Sequence, residues 1–132
     1  IVYGSRSMED LLDLDEIQNE WAKEEGINVH LTIDRAQDTW PGHVGFVPSY
    51  VKELGFDPDK NVLVCGPPIM IKFTLGSLTE LGFVNTQIYT TMELRMKCGV
   101  GKCGRCNIGN KYVCKDGPVF RFDELGELPS EY

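Results

Sequence analysis

The sequence lacks the features of several protein classes, and these absences limit what the chain can be. It has no apolar run as long as a membrane span, and no basic segment followed by an apolar one at its start. We therefore expect no membrane span and no secretion, and clustered cysteines then fit a reducing cytoplasm. Acidic residues outnumber basic ones, giving a formal net charge of −7. This charge argues against nucleic acid as the main partner.

Catalytic side chains, internal repeats and low-complexity linkers are also missing. No residues form a recognisable proton-transfer dyad or activated nucleophile, so we expect no catalytic residue in this chain. Residues 1–3 are an apolar run without an initiator methionine, and we expect a fragment or processed form of a longer polypeptide. With 132 residues, 42% of them hydrophobic, the chain can form the core of one domain with a small appendage.

The most informative feature that is present is a group of four cysteines in residues 98–114, spaced C-x4-C-x2-C-x7-C. They are Cys98, Cys103, Cys106 and Cys114. The first three have the spacing of a plant-type 2Fe–2S loop, and thiolate is the soft ligand that iron–sulfur clusters take. Glycines lie between them and permit the positive φ angles of a loop that wraps a cluster. The pattern predicts a 2Fe–2S cluster and one-electron transfer, with structural zinc, disulfides or free thiols as alternatives.

Basic residues are concentrated around these cysteines. Residues 95–121 contain seven basic residues and one acidic residue, a charge of +6, whereas the rest of the chain carries −13. An oxidised cluster with four thiolates has a charge of about −2, which a basic loop stabilises. An ordinary solvated loop and a docking patch for an acidic partner are the alternatives.

Strand and helix patterns alternate along the chain. We predict strands at 1–3, 28–33, 62–65 and 87–90, and helices from Ser7 to Gly26, at 48–54 and at 69–81, with a loop at 34–46. This order predicts an α/β fold with a parallel sheet covered on both faces. Ligands of such sheets bind beyond the carboxyl ends of the strands. That rule selects Gly4-Ser5-Arg6, Asp34-Arg35 and Cys65-Gly66-Pro67-Pro68.

Structural interpretations of the same residues remain open. Cys65 and Met70 can be core residues, Arg6 can be a solvated charge, and Gly66-Pro67-Pro68 can be a plain turn into a helix. We expect Trp21 to pack in the core with the apolar face of the first helix, formed by Leu11, Leu14 and Ile17. We expect His43 to be a surface loop residue and His30 to be packed in its strand.

The post-strand segments, Cys65-Gly66-Pro67-Pro68-Ile69-Met70 and the cysteine loop together resemble the nucleotide domain of the ferredoxin–NADP reductase superfamily. Within it, the sequence is most similar to flavoprotein subunits with a C-terminal 2Fe–2S loop: the gamma subunits of sulfhydrogenases and hydrogenases, the corresponding subunit of anaerobic sulfite reductase, and the dihydroorotate dehydrogenase electron-transfer subunit. The likeness covers nearly the whole chain. It implies a Rossmann-like domain at 1–92, a cluster-binding loop at 93–122 and a tail at 123–132.

The resemblance also implies residue roles. Cys65 would lie beside the nicotinamide ring of NAD(P)H, with Gly66, Pro67 and Met70 shaping the pocket. The segment after the first strand, Gly4-Ser5-Arg6, would face the adenosine half. Asp34-Arg35 stands where NADP-specific relatives have a Ser-Arg pair. Arginine suits a 2′-phosphate and a carboxylate suits a free ribose hydroxyl, so both coenzymes stay open, with a preference for NAD(H).

The chain departs from the family pattern at its start. It has no glycine-rich turn after the family's first nucleotide-domain strand, and no preceding flavin domain. The absent strand is central in that topology, which leaves two strand edges unpaired. We expect the edges to pair directly, to form a homo-oligomer, or to be completed by a longer polypeptide.

Nicotinamide transfers two electrons as hydride, whereas an iron–sulfur cluster takes one at a time, so the chemistry requires a flavin between them. We therefore predict an oxidoreductase fragment that passes electrons between NAD(P)H, FAD on the missing domain and the 2Fe–2S cluster. Its partners would be other redox subunits of a hydrogenase, sulfur-reductase or sulfite-reductase type of complex. A stand-alone ferredoxin-like carrier and a non-redox zinc-ribbon interaction domain are the alternatives.

Overall fold

The computed structural model describes residues 1–126, and the chain divides into two compact units, Ile1–Gly55 and Phe56–Tyr132. The predicted boundary between residues 92 and 93 stays a prediction. Residues 127–132, which make up most of the predicted tail, lie outside the described residues.

The first unit contains a three-stranded parallel sheet in the order β1-β2-β3, formed by Val2–Ser5, His30–Ile33 and His43–Val44. Tyr3 lies opposite Leu31, and Thr32 lies opposite His43. Helix α1 spans Leu14–Asn19 and helix α2 spans Val47–Leu54. Short 3-10 helices cover Met8–Asp10 and Trp21–Lys23.

A small apolar core holds this unit together. Leu11, Ile33 and Trp40 are buried, and the partly buried Tyr3, Met8, Leu14 and Leu31 pack against them. The indole N–H of Trp40 donates a hydrogen bond to the carbonyl oxygen of His43 at 2.8 Å. Because the indole N–H has a hydrogen-bond partner, burying this large ring leaves no donor unsatisfied.

The predicted single helix from Ser7 to Gly26 is wrong. Asp13 has a φ of 53°, in the left-handed region, so the backbone turns out of the helical path before α1. Ser7 donates its hydroxyl to the Asp10 carboxylate at 2.8 Å instead of capping a backbone N–H. The predicted burial of Trp21 is also wrong, because its side chain is exposed and its indole N–H donates to Glu16 at 3.0 Å.

The second unit contains the sheet β4-β5-β8, formed by Val62–Val64, Ile88–Thr91 and Val119–Arg121. Strands β4 and β5 are parallel, and β8 is antiparallel to β5. Helix α3 covers Pro68–Glu80 and buries Ile71, Thr74, Leu75 and Leu78. A two-stranded hairpin follows, β6 at Asn107–Ile108 and β7 at Lys111–Tyr112, and then the short helix α4 at Val113–Asp116. Two 3-10 helices cover Asn85–Gln87 and Phe122–Glu124.

The prediction of an α/β fold with parallel strands is confirmed. Strand β1 is an edge strand of the sheet in the first unit, and β4 is an edge strand of the sheet in the second unit. Direct pairing of the two edges stays a prediction. Oligomerisation through these edges, or their completion by a longer chain, stays a prediction. Within residues 1–126, no helix is long and apolar enough to cross a membrane.

Candidate functional site

A hairpin places two of the four clustered cysteines. Cys106 immediately precedes β6 and Cys114 is separated from the end of β7 by one residue, so the antiparallel strands return the chain to the same place. Gly109, with a φ of 56°, is the first residue of the two-residue turn, a position where glycine is favoured. Val113 N–H donates to the carbonyl oxygen of Cys106 at 3.0 Å and closes the hairpin base. The seven-residue spacing in the sequence is therefore the length of this hairpin.

Backbone N–H groups of the cysteine loop point at sulfur atoms. Lys102 and Cys103 donate to Cys98 Sγ at 3.3 and 3.4 Å, and Gly101 donates to Cys114 Sγ at 3.3 Å. The three glycines between the first three clustered cysteines, Gly99, Gly101 and Gly104, have φ angles of 70°, 70° and 71°. In this left-handed conformation the backbone turns successive N–H groups inward. The conformation is unfavourable for residues that have a Cβ, which explains the glycines.

These hydrogen bonds make the thiols unequal. Donation from the backbone N–H groups of Val100, Cys103 and Lys102 lowers the pKa of Cys98 to about 6. The hydrogen bond between Cys114 and Cys106 raises the pKa of Cys114, and the N–H of Gly101 opposes that rise. A thiolate is therefore favoured at Cys98 before any metal binds, because hydrogen bonds to the charged form stabilise it.

The four cysteines lie as two neighbouring pairs, Cys98 beside Cys103 and Cys106 beside Cys114. Among residues 1–126, no group of three or more His, Cys, Asp or Glu side chains is gathered as it would be around a metal ion. Cys106 is buried, Cys98 and Cys114 are half-buried, and Cys103 is exposed. The soft donors, the two pairs and the N–H groups aimed at sulfur fit a two-iron cluster.

The predicted nucleotide residues of the first unit lie together. Ser5 is the last residue of β1, and its carbonyl oxygen accepts the N–H of Asp34 at 2.9 Å. Arg6 directly follows β1, Arg35 is the second residue after β2, and both are exposed. Gly4 has a packing role, since a Cβ there would overlap a methyl group of Val47. The carboxyl ends of β1 and β2 thus carry two exposed cationic side chains and one carboxylate.

The remaining predicted nucleotide residues follow β4 in the second unit. Cys65 is exposed immediately after the strand, Pro67 is the N-cap of α3, and Pro68 is its first residue. A Cβ at Gly66 would overlap the terminal methyl group of Met70. Met70 Sδ accepts a hydrogen bond from Thr74 Oγ1 at 3.2 Å, which orients its side chain over Gly66. Cys65 is not the buried core residue of the alternative interpretation.

The sequence did not reveal a polar cluster around His43. This residue lies in β3, not in a loop, and its ring stacks on Tyr50 at 3.7 Å with an interplanar angle of 3°. Its Nδ1 contacts Thr32 Oγ1 at 2.8 Å, and its Nε2 contacts Glu53 Oε2 at 3.1 Å. A cleft of about 340 Å³ lies beside it, lined also by His30 and Trp40. The residues of this polar cluster are too far apart in the sequence for a spacing pattern to reveal them.

Two family models match the chain. The oxidoreductase NAD-binding domain matches residues 1–75, more than half of the 132 residues. The chain belongs to the oxidoreductase NAD-binding domain family. The iron-sulfur cluster binding domain of dihydroorotate dehydrogenase B matches residues 93–126. The chain thus combines a match to a NAD-binding domain with a match to an iron–sulfur binding domain, and the predicted resemblance is confirmed.

Curated relatives and a solved structure agree with this membership. Sulfhydrogenase 1 subunit gamma of Pyrococcus furiosus is 36% identical over 132 residues, covering 95% of this chain and 45% of the relative. A probable dihydroorotate dehydrogenase B (NAD(+)) electron transfer subunit of Thermococcus kodakarensis is 36% identical, covering 95% and 47%. The NADH-dependent reduced ferredoxin-NADP oxidoreductase, solved to study flavin-based electron bifurcation, superposes with a TM-score of 0.65 and 29% identity, covering 99% and 47%. The chain spans about half the length of the curated relatives it matches.

Proposed function

We propose that this oxidoreductase passes electrons between NAD(P)H, FAD on a domain outside the 132 residues, and a 2Fe–2S cluster held by its cysteine loop. The electrons would go to, or come from, another redox subunit of a hydrogenase, sulfur-reductase or sulfite-reductase type of complex. The observation that carries the proposal is the presence, in one chain, of a NAD-binding match and a loop whose N–H groups point at cysteine sulfur.

The cluster ligands in this proposal are Cys98, Cys103, Cys106 and Cys114. The two neighbouring pairs would together supply four thiolates to the cluster. The N–H groups of Gly101, Lys102 and Cys103 donate to sulfur, and such bonds raise the reduction potential of a cluster. The bound cluster supplies storage of a single electron.

The nucleotide residues form two subsites in this proposal. Gly4, Ser5, Arg6, Asp34 and Arg35 take the adenosine side at the ends of β1 and β2. Two exposed guanidinium groups there suit phosphate, while the Asp34 carboxylate suits a free 2′-hydroxyl group and favours NAD(H).

At the end of β4, Cys65, Gly66, Pro67 and Met70 take the nicotinamide side. The methyl group of Met70 lies so close to Gly66 that only glycine fits at this position. The side chain of Cys65 is exposed. An exposed side chain directly after a strand is accessible to a flat ring.

The flavin, the partner subunit and the cellular location are inferred from redox chemistry, from the relatives and from the free cysteines. A flavin accepts a hydride and releases electrons singly, which neither nicotinamide nor a cluster can do alone. Relatives whose names include subunit gamma and electron transfer subunit support a role within a multi-subunit complex. All five cysteines are free, which fits a reducing cytoplasm.

The proposal is tested by purifying the chain anaerobically, reconstituting it with iron and sulfide, and measuring both with the visible spectrum. We expect about two irons and two sulfides per chain and a brown colour. Cys106→Ser should lose the cluster, whereas Cys65→Ser, which removes a thiol outside the loop, should retain it. A colourless protein that binds one zinc would favour the zinc-ribbon alternative and overturn the proposal.

A further inference from the structure

The loop that carries the proposed cluster ligands also presents a positive surface without acidic residues of its own. Residues 94–115 contain six basic residues and no acidic one. The side chains of Arg95, Lys97, Lys102, Arg105 and Lys115 are all exposed, and none forms an ion pair with a carboxylate in residues 1–126. By contrast, Arg121 is paired with Asp123 at 2.6 Å and Glu124 at 3.6 Å. Unpaired positive charge is therefore concentrated at the cysteine loop.

Two apolar side chains lie among these charges. Val100, between the first two cysteine ligands, is 62% exposed, and Met96 is 50% exposed. Exposed apolar side chains within a charged rim are the arrangement found at protein interfaces, where an apolar centre loses water and the charges orient the partner. We name Met96, Lys97, Val100, Lys102 and Arg105 the loop surface.

The sulfur atoms reach the protein exterior at the loop surface. Cys103 is exposed, Cys98 is half-buried, and both lie within the same residues as Val100 and Lys102. One-electron transfer between proteins requires the donor group to lie close to the contact. A partner bound here would thus be placed against the thiol pair of the cluster.

We propose that the loop surface docks an acidic one-electron carrier or subunit, with Val100 at the centre of the contact and Lys102 and Arg105 supplying the attraction. This inference rests on the proposed function, since it names the partner chemistry of the same redox centre. In the transfer, one electron leaves the reduced cluster and reduces one ferric centre of the partner to ferrous, and no proton moves.

The test uses the cluster-loaded chain with the acidic haem protein cytochrome b5 as the probe, and with basic cytochrome c as the opposite probe. Binding is measured by calorimetry with both proteins oxidised, so that no electron moves. Transfer is measured by stopped flow after reduction of the cluster with dithionite. We expect cytochrome b5 to bind, and its affinity and rate to fall steeply with ionic strength.

Lys102→Glu should weaken binding of cytochrome b5 roughly tenfold at low salt, with little effect at high salt. It should increase the rate with cytochrome c, because the reversed charge attracts that probe. Lys60→Glu is the matched control: this exposed lysine precedes β4, outside the loop surface, and the variant has the same change in net charge. Val100→Asn should weaken binding about threefold at all salt concentrations, since it removes an apolar contact.

Four results would overturn the inference. Equal effects of Lys102→Glu and Lys60→Glu would show that only net charge matters. If Lys102→Glu lowered the electron-transfer rate with both haem proteins, the substitution would have changed the cluster and not the docking. Tighter binding to duplex DNA or to phosphatidylserine vesicles than to cytochrome b5 would exclude a protein partner. Salt-dependent self-association of the chain, lost in Lys102→Glu, would identify a second copy as the occupant. In all four cases a full content of iron and sulfide would leave the proposed function intact.

Discussion

The amide N–H of Gly101 donates to the sulfur of Cys114 across 3.3 Å, although 13 positions separate the two residues. The side chain of Lys115 covers the same glycine, and a Cβ on Gly101 would lie 3.2 Å from Lys115 Cδ. Gly101 therefore connects the glycine-containing loop to the end of the hairpin, through a hydrogen bond to the sulfur of Cys114 and a packing contact with Lys115.

Gly101→Ala should shorten the lifetime of the bound cluster more than Gly104→Ala. Both glycines have φ angles near 70°, where a Cβ costs about 1–2 kcal/mol. A Cβ at Gly104 meets nothing within 4 Å, whereas one at Gly101 also meets Lys115. The lifetime is read from the loss of visible absorbance in the presence of a chelator. Equal lifetimes for the two variants would contradict the contact with Lys115.

Cys98 should be alkylated faster than Cys114 in the metal-free chain at pH 7. Its pKa is lowered to about 6 by backbone N–H donors, so the reactive thiolate predominates above that pH. The pKa of Cys114 is raised, mainly by its hydrogen bond with Cys106, so its thiolate is scarce. Iodoacetamide labelling followed by peptide mass spectrometry from pH 5 to 9 gives both profiles. The rate at Cys98 should level off above about pH 7, and a rate that still rises tenfold per unit there would refute the lowered pKa.

The same shift has a consequence for stability. A thiol whose pKa falls on folding stabilises the folded state when pH exceeds the unfolded value. That stabilisation is lost as pH decreases through the folded value, here about 6. Thermal unfolding of the metal-free chain should therefore show a Cys98 contribution between about pH 9 and 6 that is absent in Cys98→Ala.

Gly66→Ala should lower the melting temperature of the chain, and Met70→Ala should reduce that loss. The new methyl group at position 66 would overlap the Met70 methyl group, so removing the methionine side chain makes room for it. A double-mutant cycle by thermal denaturation gives the coupling between the two positions, which should exceed about 0.5 kcal/mol. Additive effects would show that Met70 does not restrict position 66.

Asp34→Ser should increase the affinity for NADPH several-fold with little gain for NADH, because it removes a carboxylate that repels the 2′-phosphate. Arg35→Ala should have the opposite effect on NADPH. Both are measured by fluorescence titration of the reduced coenzymes. Asp38→Ser is the matched control, since Asp38 is also exposed and follows the same strand at a greater distance. An equal gain in the control would assign the effect to overall charge.

The cysteine chemistry could be predicted from the sequence because ligand spacing and glycine positions are local. The hairpin that brings Cys106 to Cys114 was not predicted, since two-residue strands such as Lys111–Tyr112 have too few residues for a periodic pattern. The break before α1 depends on the single left-handed residue Asp13, whose neighbours have a helical pattern. The stacking of His43 on Tyr50 depends on the pairing of β2 with β3, which is set by tertiary packing.

The hairpin between Cys106 and Cys114 restricts how the sequence can change in length. Adding or deleting one residue between β6 and β7 would shift the strand pairing by one position and turn one thiol to the opposite face. Residues 93–97, before the first ligand, form no strand or helix and have no such register to keep. Natural insertions in this family should therefore accumulate ahead of Cys98, while the distance from Cys106 to Cys114 stays constant or changes in steps of two.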